Sequence, residues 1–218
     1  MHKLKLLRKA YLTKYWRNYY SQFGEDAVLR ELIGRKRNGI YIDVGCYHPK
    51  KFSNTYFLRK LGWSGINVDL EDDKIFLFKT LRPDDHNVVA AVSDLNKEVP
   101  IFKDREYSLG TTIEPNMIPD EIKPSVEQVR TRTLNSIIAE SKFNDREIDL
   151  LSIDAEGHDF NVLRSIDLAQ YKPKIIVIED QSKNIEDILS RDLYKHLRKQ
   201  KYKLTSWVHL SLIFTLDA

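Results

Sequence analysis

Apolar positions along this chain follow two periods that alternate. Apolar runs rich in β-branched residues occur at Ile40 to Val44, which Asp43 interrupts, Trp63 to Leu70, Val88 to Val92, Ile148 to Asp154 and Lys174 to Glu179. Such runs read as strands covered on both faces. Between them apolar residues recur at helical spacing: Val28, Leu29, Leu32 and Ile33, then Tyr56 to Leu61, Ile75 to Leu81, Ile137 and Ile138, Phe160 to Ile166, and Leu193 to Leu197. Ser21 is placed to cap the first of these helices, and Ser53 or Asn54 the second. Strand and helix taking turns predicts an α/β protein with a doubly wound, Rossmann-like, mostly parallel sheet. Tyr202 to Val208 and Leu210 to Leu216 follow each other too closely for a crossover, so they predict a C-terminal antiparallel hairpin.

The pattern weakens from Val99 to Val129, where Pro100, Pro115, Pro119 and Pro124 interrupt it and Gly110-Thr-Thr112 adds freedom. A long irregular stretch inside a domain is expected to serve as a lid or substrate loop. The strand runs share another feature, an acid at the carboxyl end: Asp43, Asp69, Asp154, Glu179 and Asp180. Ligands of open α/β sheets bind at that edge, and five carboxylates gathered there repel one another unless a ligand or cation intervenes. Asp43 is expected to meet a ligand's donors, and Gly45 lets the backbone turn beside it. Asp69 stands where nucleotide-binding folds place a carboxylate for ribose hydroxyls, although two solvated acids at strand ends give the same pattern. Ser93 and Asp94 close the third strand with acceptors suited to an exocyclic amine such as adenine's, or with a capped turn.

Composition narrows the setting. The 218 residues are 42% hydrophobic, enough for one domain, assigned to 21–218 after a separate amino-terminal helix. A net charge of +3 with both signs interspersed does not point to nucleic acid. Cys46 is the only cysteine, which fits a reducing compartment and a cytoplasmic protein. No signal peptide or spanning segment is read in the sequence. Residues 1–20 hold Lys3, Lys5, Arg8, Lys9, Lys14 and Arg17 with no acid, interleaved with Leu4, Leu7, Tyr11, Tyr15, Trp16 and Tyr19. A basic amphipathic helix of this kind suits peripheral contact with an anionic membrane, on the inner face for a cytoplasmic protein, or a capping or subunit contact.

A parallel sheet closed by an antiparallel hairpin resembles the class I S-adenosylmethionine-dependent methyltransferases. Ser21-Gln-Phe-Gly-Glu-Asp26, Tyr41-Ile-Asp-Val-Gly45, Ser53-Asn-Thr55, Gly62-Trp-Ser-Gly-Ile66 and Ile148-Asp-Leu-Leu-Ser-Ile-Asp-Ala-Glu-Gly-His158 resemble, in that order, the motifs of the FkbM-type family. The resemblance implies an O-methyltransferase acting on a hydroxyl of a sugar, in a glycan or glycoconjugate such as a polysaccharide. It further implies that Asp43 and Gly45 hold the methionine portion of S-adenosylmethionine, Asp69 its ribose, Ser93 and Asp94 its adenine, and Gln22 and Asn54 its amino acid end. Two departures stand out: Cys46-Tyr-His-Pro49 replaces a run of glycines, and Asp69 stands where glutamate is more usual.

Methyl transfer from a sulfonium asks for alignment and removal of the hydroxyl proton. His158, with an ordinary pKa near 6.5, is the first expectation for that base, and Asp154 the second. Asp154, Glu179 and Asp180 also resemble the magnesium site of catechol-type methyltransferases, which makes Mg²⁺ a further expectation to test. Two other functions compete. One is an NAD-dependent oxidoreductase, opposed by the lack of G-x-G-x-x-G. The other is a non-catalytic, membrane-associated scaffold of the same fold, which would need none of the strand-end acids.

Overall fold

The computed structural model describes residues 2–12, 18–103, 111–118 and 125–217. In chain order the elements are α1 (His2–Leu12), α2 (Glu25–Ile33), β1 (Ile40–Val44), α3 (Tyr56–Arg59), β2 (Ser64–Asp69), α4 (Asp72–Leu81), β3 (His86–Val89), β4 (Ala91–Val92), β5 (Glu98–Lys103) and a 3₁₀ turn at Pro115–Met117. There follow β6 (Ser125–Arg132), α5 (Leu134–Glu140), β7 (Leu150–Ile153), α6 (Asp159–Arg164), α7 (Leu168–Tyr171), β8 (Ile175–Glu179), α8 (Ile185–Ser190), α9 (Asp192–Lys199), β9 (Tyr202–Val208) and β10 (Ser211–Leu216).

Seven of these strands form one sheet in the order β3-β2-β1-β7-β8-β10-β9. β3, β2, β1, β7 and β8 run parallel, and β10 lies antiparallel between β8 and β9. This is the expected mostly parallel sheet with its terminal hairpin. The order reverses direction between β1 and β7, so a crevice opens at their carboxyl ends. Helices cover both faces. On one, Ile40, Ile42 and Val44 of β1 pack with Ile137 of α5, Leu163 of α6 and Leu197 of α9. Tyr41 points the opposite way, to Leu29, Phe57, Leu58 and Trp63. Alternation thus sends Asp43 to the Tyr41 face.

Three expectations need correction. The run Val88 to Val92 is two strands, because the chain leaves the main sheet at Ala90 and Ala91–Val92 pairs with Thr131–Arg132. The stretch 99–129 is not a bare loop: β5 and β6 pair antiparallel and, with β4, form a second, three-stranded sheet. Pro100 is tolerated because β5 is an edge strand of that sheet. The amino-terminal helix covers His2–Leu12 rather than the whole of 1–20, residues 18–20 being non-helical. Lys14, Tyr15, Trp16, Arg17, Gly110, Pro119 and Pro124 lie outside the described residues.

Candidate active site

Two cavities sit side by side along the carboxyl edge. The first, with about 620 Å³ of empty space, runs from Val44, Gly45 and Tyr47 past Val68, Asp69 and Leu70 to Ala90–Val92, roofed by Thr111 and Ile113. The second, about 660 Å³, lies among Gln22, Phe23, Glu25, Phe52, Asn54, Val177, Glu179 and Ser211. Asp154 and Glu156 line both.

Gly45 is required by contact as well as conformation. Its φ is +78°, and a Cβ there would lie 1.7 Å from the Asp154 carbonyl oxygen. The β1 and β7 turns therefore touch backbone to backbone, which the Asp154 N–H to Val44 carbonyl bond of 3.0 Å reinforces. Asp43 does not line either cavity. Its Oδ2 accepts from Thr55 Oγ1 at 2.8 Å, at the start of α3, and burial pushes its pKa up to about 6 against that hydrogen bond. Asp43 thus fastens the 53–55 turn, which presents Asn54 to the second cavity. Asn54 donates to Ser152 Oγ at 3.2 Å.

Asp69 reaches the first cavity, already engaged on Oδ1 by the Glu71 N–H at 3.0 Å and by Lys74 Nζ at 3.5 Å. Lys74 also binds Glu71 at 2.8 Å, and Thr111 Oγ1 donates to the same Glu71 carboxylate at 2.7 Å, which draws the roof down. Ser93 and Asp94 do not line the cavity. Ser93 Oγ lies 3.0 Å from His158 Nε2, and Asp94 pairs with Arg164 at 2.6 Å and accepts from Asn161 at 3.3 Å.

His158 is buried, lines the first cavity and also serves as a strut. Its Nδ1 sits 2.6 Å from Glu114 Oε1 while Nε2 meets Ser93, so both ring nitrogens are taken. The ring ties α6, the end of β4 and the 111–118 segment together. Removing a hydroxyl proton with it requires breaking one of these contacts.

Ser21-Gln-Phe-Gly-Glu-Asp26 folds around Gly24, whose φ is +94°. Ser21 is not the helix cap, since Gly24 takes that position; instead its hydroxyl donates to the buried Asp26 carboxylate at 2.8 Å. Glu25 accepts from the Phe23 N–H and from Ser211 Oγ, both at 2.9 Å. Phe23 stacks on His209 with centroids 3.8 Å apart. These contacts hold Gln22 and Phe23 against the second cavity.

Carboxyl oxygens of Asp154, Asp159 and Glu179 come within 4.8 Å of one another. Asp180 is not among them: it accepts from the Ser182 N–H at 2.9 Å and lies 3.7 Å from Arg191. Asp159 takes its place, but its two oxygens accept from the Ala155 and Gly157 N–H groups at 2.7 and 3.1 Å. The Mg²⁺ set expected from the sequence is therefore not assembled. Burial, then the Glu179 carboxylate beside it, raises the proton affinity of Asp154, and burial lifts Glu179 to about 7 against a hydrogen bond from Asp154. Asp154 is open to the cleft's own water, so this reflects an enclosed cleft floor, not a sealed interior.

Glu156 lies inside the 148–158 motif, where the sequence alone gives it no role. Its φ is +48°, Gly157 follows at +91°, and its carbonyl accepts from Thr112 Oγ1 at 2.9 Å. The signal was available in its position, two residues beyond a strand-end acid and followed by glycine.

Residues 43–204 match the Methyltransferase FkbM domain. The chain belongs to the FkbM methyltransferase family. Curated protein sequences offered no match. Among solved structures, the chain is similar to a TehB-like SAM-dependent methyltransferase from Corynebacterium glutamicum ATCC 13032 Kitasato, with 13% identity and a TM-score of 0.44, over 99% of this chain and 96% of that one. So loose a likeness adds nothing to the assignment, which rests on the domain match. S-adenosylmethionine is the cofactor the FkbM family implies, and an acid-lined crevice suits a molecule carrying sulfonium and ammonium charges. The match runs from the carboxyl end of β1 to the start of β9. No helix among the described residues is long and apolar enough to cross a membrane.

Proposed function

We propose that this FkbM protein is an O-methyltransferase whose acceptor is a hydroxyl of a sugar, in a glycan or glycoconjugate. The observation that carries this reading is the pair of adjoining cavities, one largely apolar and one polar, that share Asp154 and Glu156 as a wall. S-adenosylmethionine supplies an already activated methyl group on sulfur and leaves as a neutral thioether. Asp69 is the residue for the ribose hydroxyls, and Ala90, Ala91, Val92 and Ile113 offer an apolar slot for a flat ring. The Gly45 turn lines the first cavity where the amino acid portion would lie, with Gln22 and Asn54 as its polar partners. Asp43 acts one step removed, by fixing the turn that bears Asn54. Ser93 and Asp94 stand behind the slot and shape it through His158 and Arg164.

Two observations favour a polyhydroxylated acceptor. Glu25, Glu179 and Ser211 provide hydrogen-bonding groups beyond those given to the cofactor, and Phe23 and Phe52 provide apolar faces on which a sugar ring can lie. Methyl-labelled cofactor incubated with neutral glycans should yield products one methyl heavier and stable to mild alkali, as an ether is and an ester is not. Label appearing only in alkali-labile products would reject the reading. Because Asp159 already accepts two backbone N–H groups and Asp180 lies by Arg191, the three acids expected from the sequence do not converge on an ion, and turnover is expected to survive exhaustive chelation. Loss of turnover restored by Mg²⁺ would reinstate the metal.

The amino-terminal helix adds a location. Every described residue from Lys3 to Leu12 is exposed, including Leu4, Leu7 and Tyr11, and Lys3, Lys5, Arg8 and Lys9 have no acid among them. This fits an anionic lipid surface. The protein should sediment with vesicles containing phosphatidylglycerol and not with neutral ones, and replacing the four basic residues with Gln should abolish this while leaving turnover on a soluble acceptor intact. Equal sedimentation with both vesicle types would refute the contact.

A further inference from the structure

Four of the carboxylates along the crevice have partners. Asp43 has Thr55, Asp69 has Glu71 and Lys74, Asp154 has Glu179, and Asp159 has two backbone N–H groups. Glu156 differs: no hydrogen bond or ion pair engages its carboxylate among the described residues, although it lines both cavities. Its backbone is also in a region that L residues avoid, at a cost of about 1 kcal/mol or more. Thr112 holds its carbonyl, so the main chain is fixed in that geometry from the roof segment. A glycine at 156 would relieve the strain, and the next residue is one. Strain kept beside a ligand site, bearing an unengaged acid where two cavities meet, is the signature of a residue kept for its chemistry.

We propose that Glu156 is the general base that takes the proton from the acceptor hydroxyl. This rests on the methyl-transfer reading above. The acceptor O–H bond breaks and its proton passes to a Glu156 carboxylate oxygen. The freed electron pair of the acceptor oxygen forms the new bond to the methyl carbon as the carbon–sulfur pair returns to sulfur. Glu156 then gives the proton to cleft water. Asp154 just beyond β7, Asp69 from β2, Glu179 from β8 and Lys74 from α4 are the charged groups around it. Burial, then Asp154, raises its pKa to about 7, with Lys74 opposing, which suits a base working near neutral pH. His158 and Asp154, the bases expected from sequence, are left as a strut and as the partner of Glu179.

Glu156→Gln and Glu156→Gly are to be compared with the parent by three readouts: S-adenosylhomocysteine affinity, kcat against pH, and melting temperature without ligand. Both variants should bind the product cofactor within about threefold of the parent and lose about 10²- to 10⁴-fold in kcat. The acidic limb of the parent's kcat profile should vanish in the residual activity of Glu156→Gln. Glu156→Gly should melt no lower than the parent. A kcat within threefold of the parent in both variants would overturn the assignment, as would loss of affinity equal to the loss of kcat. Earlier melting of Glu156→Gly would show that the side chain serves the fold. Absence of methyl transfer by the parent itself, with cofactor binding intact, would instead defeat the acceptor reading, and the proposal with it.

Discussion

At the scale of single residues, contacts decide which of the motif positions carry chemistry and which carry shape. Gly45→Ala forces a Cβ into the Asp154 carbonyl at a positive φ, so we expect a melting temperature lower by several degrees and undetectable cofactor binding; unchanged calorimetric affinity would refute it. His158→Ala leaves Ser93 and the Glu114 carboxylate without their ring partner, which costs about 1 to 3 kcal/mol, or a few degrees of melting temperature. If His158 were the base, the variant would instead melt like the parent and lose the acidic limb of its pH profile. Spacing in the sequence was enough to put Gly45, Asp69 and Asp154 on the wall of the crevice, because a strand end fixes where they lie. It was not enough for His158 or Asp180, whose roles depend on side-chain direction. The Thr55 partner of Asp43 is not legible in the sequence, because strand alternation alone does not reveal that the residue preceding α3 lies against its carboxylate.

Among elements, the turn between β1 and α3 is held by one arginine. Arg82, at the end of α4 and almost wholly buried, donates to Tyr41 Oη at 3.0 Å, Thr55 Oγ1 at 2.9 Å, Ser53 Oγ at 3.2 Å and the Pro49 carbonyl. Tyr41 in turn donates to Asp85 at 2.6 Å. Arg82→Met removes every one of these bonds while keeping most of the volume, and we expect a loss on the order of 3 kcal/mol together with weaker cofactor binding, as Asn54 loses its anchor. Wild-type stability to urea in this variant would contradict the clamp. Strand and helix order was legible throughout the main sheet because each run has its own period. The small sheet of β4, β5 and β6 was not: Pro100 and the polar, exposed face of β6 erase the alternation, and β4 is only two residues long.

For the molecule as a whole, the carboxyl edge sets the dependence of stability on pH. Burial, the leading cause in each case, lifts Asp43 to about 6, Glu156 and Glu179 to about 7 and Asp159 to about 8, from 3.8 for Asp and 4.5 for Glu. An acid whose pKa is higher folded than unfolded binds its proton more tightly in the folded state. The stability it contributes is present while it is protonated and is lost as pH rises from about 4 through about 8. The ligand-free protein should therefore melt at a higher temperature at pH 5.5 than at pH 8, and a melting temperature that rises over this window would contradict the buried acid cluster. A cationic cofactor offsets the repulsion, so S-adenosylmethionine should stabilise more at pH 8 than its uncharged-sulfur product does.

Calorimetric titration of the purified protein with S-adenosylhomocysteine, with Asp69→Ala as control and NAD as a second ligand, addresses the central claim most directly. We expect micromolar binding of one equivalent, lost in Asp69→Ala while that variant keeps its circular dichroism, and no heat from NAD. Folded protein that takes up NAD, or neither ligand, would contradict a methyltransferase site in the first cavity.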